Sequence, residues 1–291
     1  MSILIDKSTK VLVQGITGRD GSFHAASMLE YGTDVVAGVT PGKGGQKVGA
    51  LSVYNTVKEA LAEKEVNCSI IYVPARFATA AIKEAADNKI PLIVCITEGV
   101  PINEMLETYY YVKDKGVRLI GPNCPGLISP GKSKVGIMPG RIHLPGNIGV
   151  ISRSGTLTYE LVYNLTVNKM GQSTCVGIGG DAVVGTGYID LLEMYQKDPE
   201  TKAIVLIGEI GGEEEEKAAD YIKAHVTKPV VSFISGRSAP ADKKMGHAGA
   251  IISQGRGTAK AKIEALNAAN IPVAECPSQI PQLLKEKLGS A

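Results

Sequence analysis

Two side chains in the second half of the sequence have the type and setting for nucleophilic chemistry, His247 and Glu209. His247 lies in Met245-Gly246-His247-Ala248-Gly249-Ala250, where no bulky neighbour flanks the imidazole. A loop of this kind can move and present a ring nitrogen to a reactant; the alternative is an ordinary structural or solvated histidine. Glu209 follows the apolar run Ala203–Ile207 and precedes Gly211 and Gly212. A carboxylate there can fix an imidazole tautomer, leave the other ring nitrogen free to attack, and stabilise positive charge on the ring. His24 and His225 fall in helical stretches and His143 in an irregular one, which reads as structural or solvated. The acidic run Glu213–Glu216 favours the N-terminus of the helix it opens and needs no chemical role.

Three turns could hold anions. Ile148–Ser152 leads through Arg153-Ser154-Gly155-Thr156 into a helix. A strand, a Ser/Gly turn and a helix start form an anion site from amides and dipole, although Ser154 or Thr156 acting only as an N-cap fits equally well. Gly15-Ile16-Thr17-Gly18-Arg19-Asp20-Gly21 stands where a dinucleotide fingerprint would stand, but with GxxGxxG spacing that a plain tight turn also satisfies. The second strand narrows the ligand. An NAD site needs Asp or Glu near that strand's end, whereas Gly38-Val39-Thr40-Pro41-Gly42-Lys43-Gly44-Gly45 sets a lysine among glycines. The ribose end should therefore carry a phosphate, which fits NADP or coenzyme A and disfavours NAD. Gly126–Ser133 satisfies GxxxxGK[ST], but Pro130 inside it and Pro139-Gly140 shortly after leave no room for the helix a P-loop requires.

The elements that must position these residues alternate in type. Lys10–Gln14, Asp34–Val39, Cys68–Val73, Leu92–Thr97 and Val117–Ile120 read as strands, separated by helical stretches such as Ser22–Tyr31 and Thr79–Asn88. A second series follows, with strands at Ile148–Ser152, Ser173–Gly177, Ala203–Ile207, Pro229–Ile234 and Ala250–Ile252. Its helices are expected at about Thr156–Asn168, Gly187–Gln196, Glu213–His225 and Thr258–Ala269. This rhythm predicts an α/β fold of two doubly wound domains, residues 1–124 and 147–291, joined by a Pro/Gly-rich linker over 125–146. Sites belong at the carboxyl ends of the strands.

Composition agrees with two apolar cores: hydrophobic residues make up 44% of 291 residues, aromatics 5%, with 34 glycines. A formal charge of +2 gives no electrostatic footprint for nucleic acid or an anionic membrane. Five scattered cysteines (68, 95, 124, 175 and 276) form neither a disulfide framework nor a metal-ligand spacing, so no metal is expected. No apolar run nears a membrane span and no signal-peptide core is present. The expectation is a cytoplasmic protein, or a mitochondrial matrix protein already processed.

Gly38–Gly45, Gly121-Pro122-Asn123-Cys124-Pro125-Gly126, Ser152–Glu160, Gly208-Glu209-Ile210-Gly211-Gly212 and Gly246–Ala250 together resemble the succinyl-CoA synthetase (succinate–CoA ligase) α-subunit family, in order and over nearly the whole chain. The resemblance implies a Rossmann-like CoA-binding domain followed by a flavodoxin-like domain that carries a phosphohistidine loop. It implies that His247 is phosphorylated during turnover, that Glu209 holds its ring, and that Ser154 and Gly155 cradle the phosphate. Coenzyme A would contact Thr17, Gly18, Arg19, Asp20 and Lys43 at the nucleotide end. Tyr72, Val73, Pro74, Ile96, Thr97, Glu98 and Asn123 would line the rest of its path, and Tyr159 would lie near the carboxylate substrate, succinate. It further implies a separate ATP-grasp β-subunit that binds Mg²⁺ and the nucleotide, in an αβ or α2β2 complex, so that this chain alone is inactive.

The sequence departs from the family pattern in three places: at Arg76 and Ala182, where proline is usual, and over Ala241–Lys244 before the histidine loop. Of these, Arg76 could alter coenzyme contacts. The rival readings are a malate–CoA or other small-dicarboxylate ligase, a non-catalytic coenzyme- or nucleotide-binding module, and an NADP dehydrogenase. The last is weakened because no Tyr-x-x-x-Lys hydride-transfer set is present.

Overall fold

In the computed structural model, residues 2–240, 243, 245–252 and 255–289 are described. The first half runs β1 (Lys10–Gln14), α1 (Arg19–Tyr31), β2 (Asp34–Val39), β3 (Lys47–Val48), β4 (Leu51–Tyr54), α2 (Val57–Glu63), β5 (Cys68–Ile71), α3 (Ala75–Asp87), β6 (Leu92–Cys95), α4 (Ile102–Asp114) and β7 (Arg118–Ile120). Its sheet order is β3-β4-β2-β1-β5-β6-β7. All neighbours are parallel except the short β3, which pairs antiparallel with β4. Without β3 this is the strand order of dinucleotide-binding domains, whose switch point lies between β1 and β5. Every residue of β5 and β6 is buried, as expected for strands covered on both faces. Helix α3 closes on them through Ala78, Ala81, Ile82, Ala85 and Ala86, an apolar stripe at helical spacing.

The second half runs β8 (Gly126–Ser129), β9 (Ser133–Gly136), β10 (Pro145–Ser152), α5 (Gly155–Val167), β11 (Gln172–Gly177), α6 (Tyr188–Lys197), β12 (Ala203–Gly208), α7 (Glu214–His225), β13 (Val230–Ile234), α8 (Ala259–Ala268), β14 (Val273–Ala274) and α9 (Ile280–Gly289). The sheet order is β14-β13-β12-β10-β11-β8-β9, parallel from β14 to β11. That is the flavodoxin-like order, with its switch point between β10 and β12.

Two expectations change. The proline- and glycine-rich stretch after Cys124 is not wholly irregular: β8 and β9 form a hairpin that pairs antiparallel with β11 and widens the second sheet. Its turn takes Gly131 at φ +75°, and no helix follows Lys132, which pairs with Glu200. The GxxxxGK[ST] match is therefore a hairpin turn, not a P-loop. Ala250–Ile252 forms no strand; the fifth parallel strand is β14, beyond α8. The two halves share one apolar core, which runs from Val11 and Ile70 through Cys124 and Leu127 to Ile151 and Val176. Among the described residues, no helix is long and apolar enough to cross a membrane.

Candidate active site

At the first switch point, the backbone at Gly15 (φ +81°) donates to Val39 O at 2.8 Å and turns the chain into α1. A Cβ on Gly21 would lie 2.2 Å from Gly15 O, so only glycine lets helix and turn approach this closely. Gly18 caps α1 without a side-chain bond, which leaves first-turn amides and the positive dipole end to face an anion. Beside it lies an apolar cleft of about 570 Å³ lined by Thr17, Gly18, Thr40, Tyr72, Pro74 and Phe77. Thr17 and Thr40 hydroxyls are 3.1 Å apart, and Arg19 and Asp20 pair with each other at the exposed rim. Lys43 is exposed on a loop pinned by Asn55, whose Oδ1 accepts from Gly42 and Gly44 amides at 3.0 Å each.

The other expected contacts carry structural bonds as well. The Tyr72 ring stacks on His24, 5.5 Å between centroids, and its buried hydroxyl has no hydrogen-bond partner among the described residues. Thr97 Oγ1 donates to Val73 O at 2.7 Å, and Ile96 N donates to Ile71 O at 3.1 Å. Asn123, at φ +53°, links the halves of the chain. Its amide donates to Thr97 O, its carbonyl accepts from Gly180 N, and its side chain donates to Asp181 at 2.9 Å. Arg76 is exposed near the cleft, its guanidinium 4.8 Å from the Phe77 ring. Of the remaining departures, Ala241, Asp242 and Lys244 lie outside the described residues.

The second switch point brings together the residues picked out for phosphoryl chemistry. Glu209, at the end of β12, is buried, and both its carboxylate oxygens lie against His247 Nδ1, at 2.8 and 2.9 Å. The ring rests on Gly180, where a Cβ would stand 2.4 Å from the imidazole. The Glu209 hydrogen bond raises the His247 pKa above its ordinary value. Partial burial and Arg153 oppose it, while the Glu209 charge and that of Glu98, from the other half of the chain, add to it. Ser154 caps α5, accepting from Leu157 N, and its own amide donates to Ser152 Oγ. The donors this helix start can offer an anion are thus the amides of Gly155 and Thr156, since Leu157 N and Thr158 N bond to Ser154. Tyr159, half-buried one turn further on, has its hydroxyl pKa pushed up to about 12 by burial.

Three participants were not apparent from the sequence. Gly180 is the floor under the ring. Glu215, read only as part of an acidic helix start, is completely buried, as is Lys262. For Lys262 a signal existed: in α8 the buried positions are Ala259, Lys262 and Leu266, so a lysine stands in the apolar stripe. Among the described residues, no group of three or more His, Cys, Asp or Glu side chains could hold a metal ion.

Residues 6–99 match the CoA binding domain family and residues 151–271 the CoA-ligase family. Succinate–CoA ligase [ADP-forming] subunit alpha 2 of Archaeoglobus fulgidus is 56% identical over 288 residues, 99% of this chain and all of that one. The corresponding alpha subunit of Aquifex aeolicus is 58% identical over 290 residues, 99% of this chain and 95% of its own. Among solved structures, ATP citrate lyase from Methanothrix soehngenii, in complex with citrate and coenzyme A, superposes with a TM-score of 0.89 at 26% identity. The match covers 99% of this chain and 51% of the lyase chain, so this chain spans about half the lyase's length.

Proposed function

The chain belongs to the succinate–CoA ligase α-subunit family, and we propose that it interconverts succinyl-CoA and succinate with phosphoryl transfer through His247. The observation that carries this reading is the Glu209–His247 pair. An ionised carboxylate can only accept, so Nδ1 bears the ring proton and the lone pair sits on Nε2. Phosphate attacks the thioester carbonyl of succinyl-CoA, the C–S bond breaks, and coenzyme A leaves as its thiol. His247 Nε2 then attacks phosphorus in succinyl phosphate, and the P–O bond to the carboxylate breaks to release succinate. Glu209 stabilises the positive charge the ring gains, and the Gly155 and Thr156 amides at the start of α5 face the phosphoryl oxygens.

Coenzyme A would lie across the first switch point, its phosphates at the Thr17–Asp20 helix start and Lys43. Its pantetheine arm would run past Tyr72, Val73 and Pro74 toward Ile96–Glu98 and Asn123. Asn123 bonds to the Gly180–Asp181 segment beneath the histidine, which supports a path that would bring the thioester end to the phosphoryl site. Tyr159 would face the carboxylate substrate. A partner β-subunit would supply Mg²⁺ and the nucleoside diphosphate that takes the phosphoryl group from His247.

The test is phosphate mapping by mass spectrometry at alkaline pH on the chain isolated with its partner. His247 should carry phosphate after incubation with nucleoside triphosphate and Mg²⁺, and succinate plus coenzyme A should discharge it. Discharge by malate plus coenzyme A alone would reassign the acid. No phosphate on His247 in a nucleotide-binding complex would overturn the mechanism.

A further inference from the structure

Beneath the Glu209–His247 pair lies a buried charged group that the reaction itself does not use. Lys262 Nζ donates to Glu215 Oε2 at 2.5 Å, to Glu216 Oε2 at 3.0 Å and to Gly212 O at 3.0 Å. The other oxygen of Glu215 accepts from Glu209 N at 3.2 Å, from Arg153 Nη1 at 3.3 Å and from the Tyr188 hydroxyl at 3.3 Å. Arg153 Nη1 also donates to Gly211 O at 3.0 Å, and its Nε is 3.8 Å from Glu209 Oε1. The side chains of Glu215 and Lys262 are 0% exposed, those of Arg153 and Glu209 7%.

Burying such ions is a poor route to stability. Apolar residues of similar volume often do as well or better, so a buried ion pair calls for another reason. Here the reason is geometric. The turn 209–212 is grasped at three successive backbone points, Glu209 N by Glu215, Gly211 O by Arg153 and Gly212 O by Lys262. That turn also abuts the histidine loop: a Cβ on Gly211 would stand 1.9 Å from Gly249 O.

We propose that Lys262 and Glu215 are positioning residues for phosphoryl transfer, locking the Glu209 turn so that the Glu209 carboxylate stays aimed at His247 Nδ1. The inference rests on the reading of His247 as the phosphoryl carrier. Glu209, Arg153 and Glu98 act on the ring itself; Glu215, Glu216, Lys262 and Tyr188 act through the turn.

The test is the His247 ring titration, followed by NMR in the full chain, for wild type and Lys262→Met, alongside the His247 phosphorylation rate in the partner complex. Through space alone, removing a cation near the imidazole raises its pKa. Loss of the Glu209 hold lowers it, and the inference expects this second sign, with phosphorylation slowed about 10- to 100-fold. A pKa that rises or stays put, with an unchanged rate, overturns it. Should Lys262→Met not fold, Lys262→Gln, which keeps a donor in the cavity, is read in the same way. If neither folds, the pair is a folding requirement and the positioning role falls. If wild-type His247 is never phosphorylated, the function itself has failed, and the ring titration still reports separately on the turn.

Discussion

Glu209 grips His247 Nδ1 with both carboxylate oxygens, at 2.8 and 2.9 Å, from the end of a central strand. Because this bond raises the imidazole pKa above the ordinary ~6.5, the protonated ring is stabilised by folding. That contribution is fully present below about pH 6.5 and is lost as pH rises through the folded-state pKa. The nucleophile has the opposite dependence, since only the neutral ring offers Nε2. Phosphorylation should therefore increase with pH across the same window. In Glu209→Gln the midpoint should move to lower pH, as measured by ring NMR and by rates across pH. The maximum rate should fall about 10²-fold or more, because a carboxylate orienting an imidazole contributes up to ~10⁴ in hydrolytic triads.

Gly180 supplies the floor on which the ring lies. Its backbone is not in the left-handed region, so alanine there is penalised by contact alone: the new Cβ would stand 2.4 to 2.8 Å from three imidazole atoms. His247 must tilt, and Gly180→Ala should cut phosphorylation by about tenfold or more. Coenzyme A affinity, measured by calorimetry on the same protein, should change little. An equal loss in both would mean that the substitution disturbs the Asn123 link instead.

The sheets were legible because their strands are short, continuous apolar runs. Cys68–Ile71 and Ala203–Gly208 are buried at every residue. The hairpin after Cys124 was not, since its glycines and prolines mark turns in any sequence. Only tertiary pairing with β11 makes strands of them. The expected strand at Ala250–Ile252 failed for the converse reason: it is apolar, but it is spent on the histidine loop, with Ala250 and Ile252 buried and no ladder bonds. Individual site residues followed motif and chemistry, as with His247 and Glu209. The charges under them escaped because an acidic run at a helix start has an adequate electrostatic explanation, which conceals that Glu215 alone of that run is fully buried.

On the proposed reading, Lys43 would discriminate between phosphorylated and unphosphorylated ribose. Its loop is pinned through Asn55, so replacing the side chain should leave the backbone in place. Lys43→Ala should weaken coenzyme A binding about tenfold, equivalent to ~1.4 kcal/mol, as expected for one charge-assisted bond. Binding of dephospho-coenzyme A should hardly change. The wild-type preference between these two ligands, read from their separate effects on melting temperature, should collapse in the variant. A variant that loses both ligands equally would place Lys43 elsewhere than at the 3′-phosphate.

All five cysteines are free thiols, and four of them (Cys68, Cys95, Cys124 and Cys175) are buried. Burial pushes the Cys95 thiol up to about 12 and the other three higher still, so none supplies thiolate near neutrality. Cys124 is further occupied, its Sγ lying 3.2 Å from Cys95 O. Cys276 is exposed at the start of the segment leading into α9. An aromatic disulfide reagent at neutral pH should therefore titrate one thiol in the native chain and five in denaturant. Peptide mapping should find the native label on Cys276. Rapid native labelling of Cys124 would show that the buried junction between the two halves opens around it.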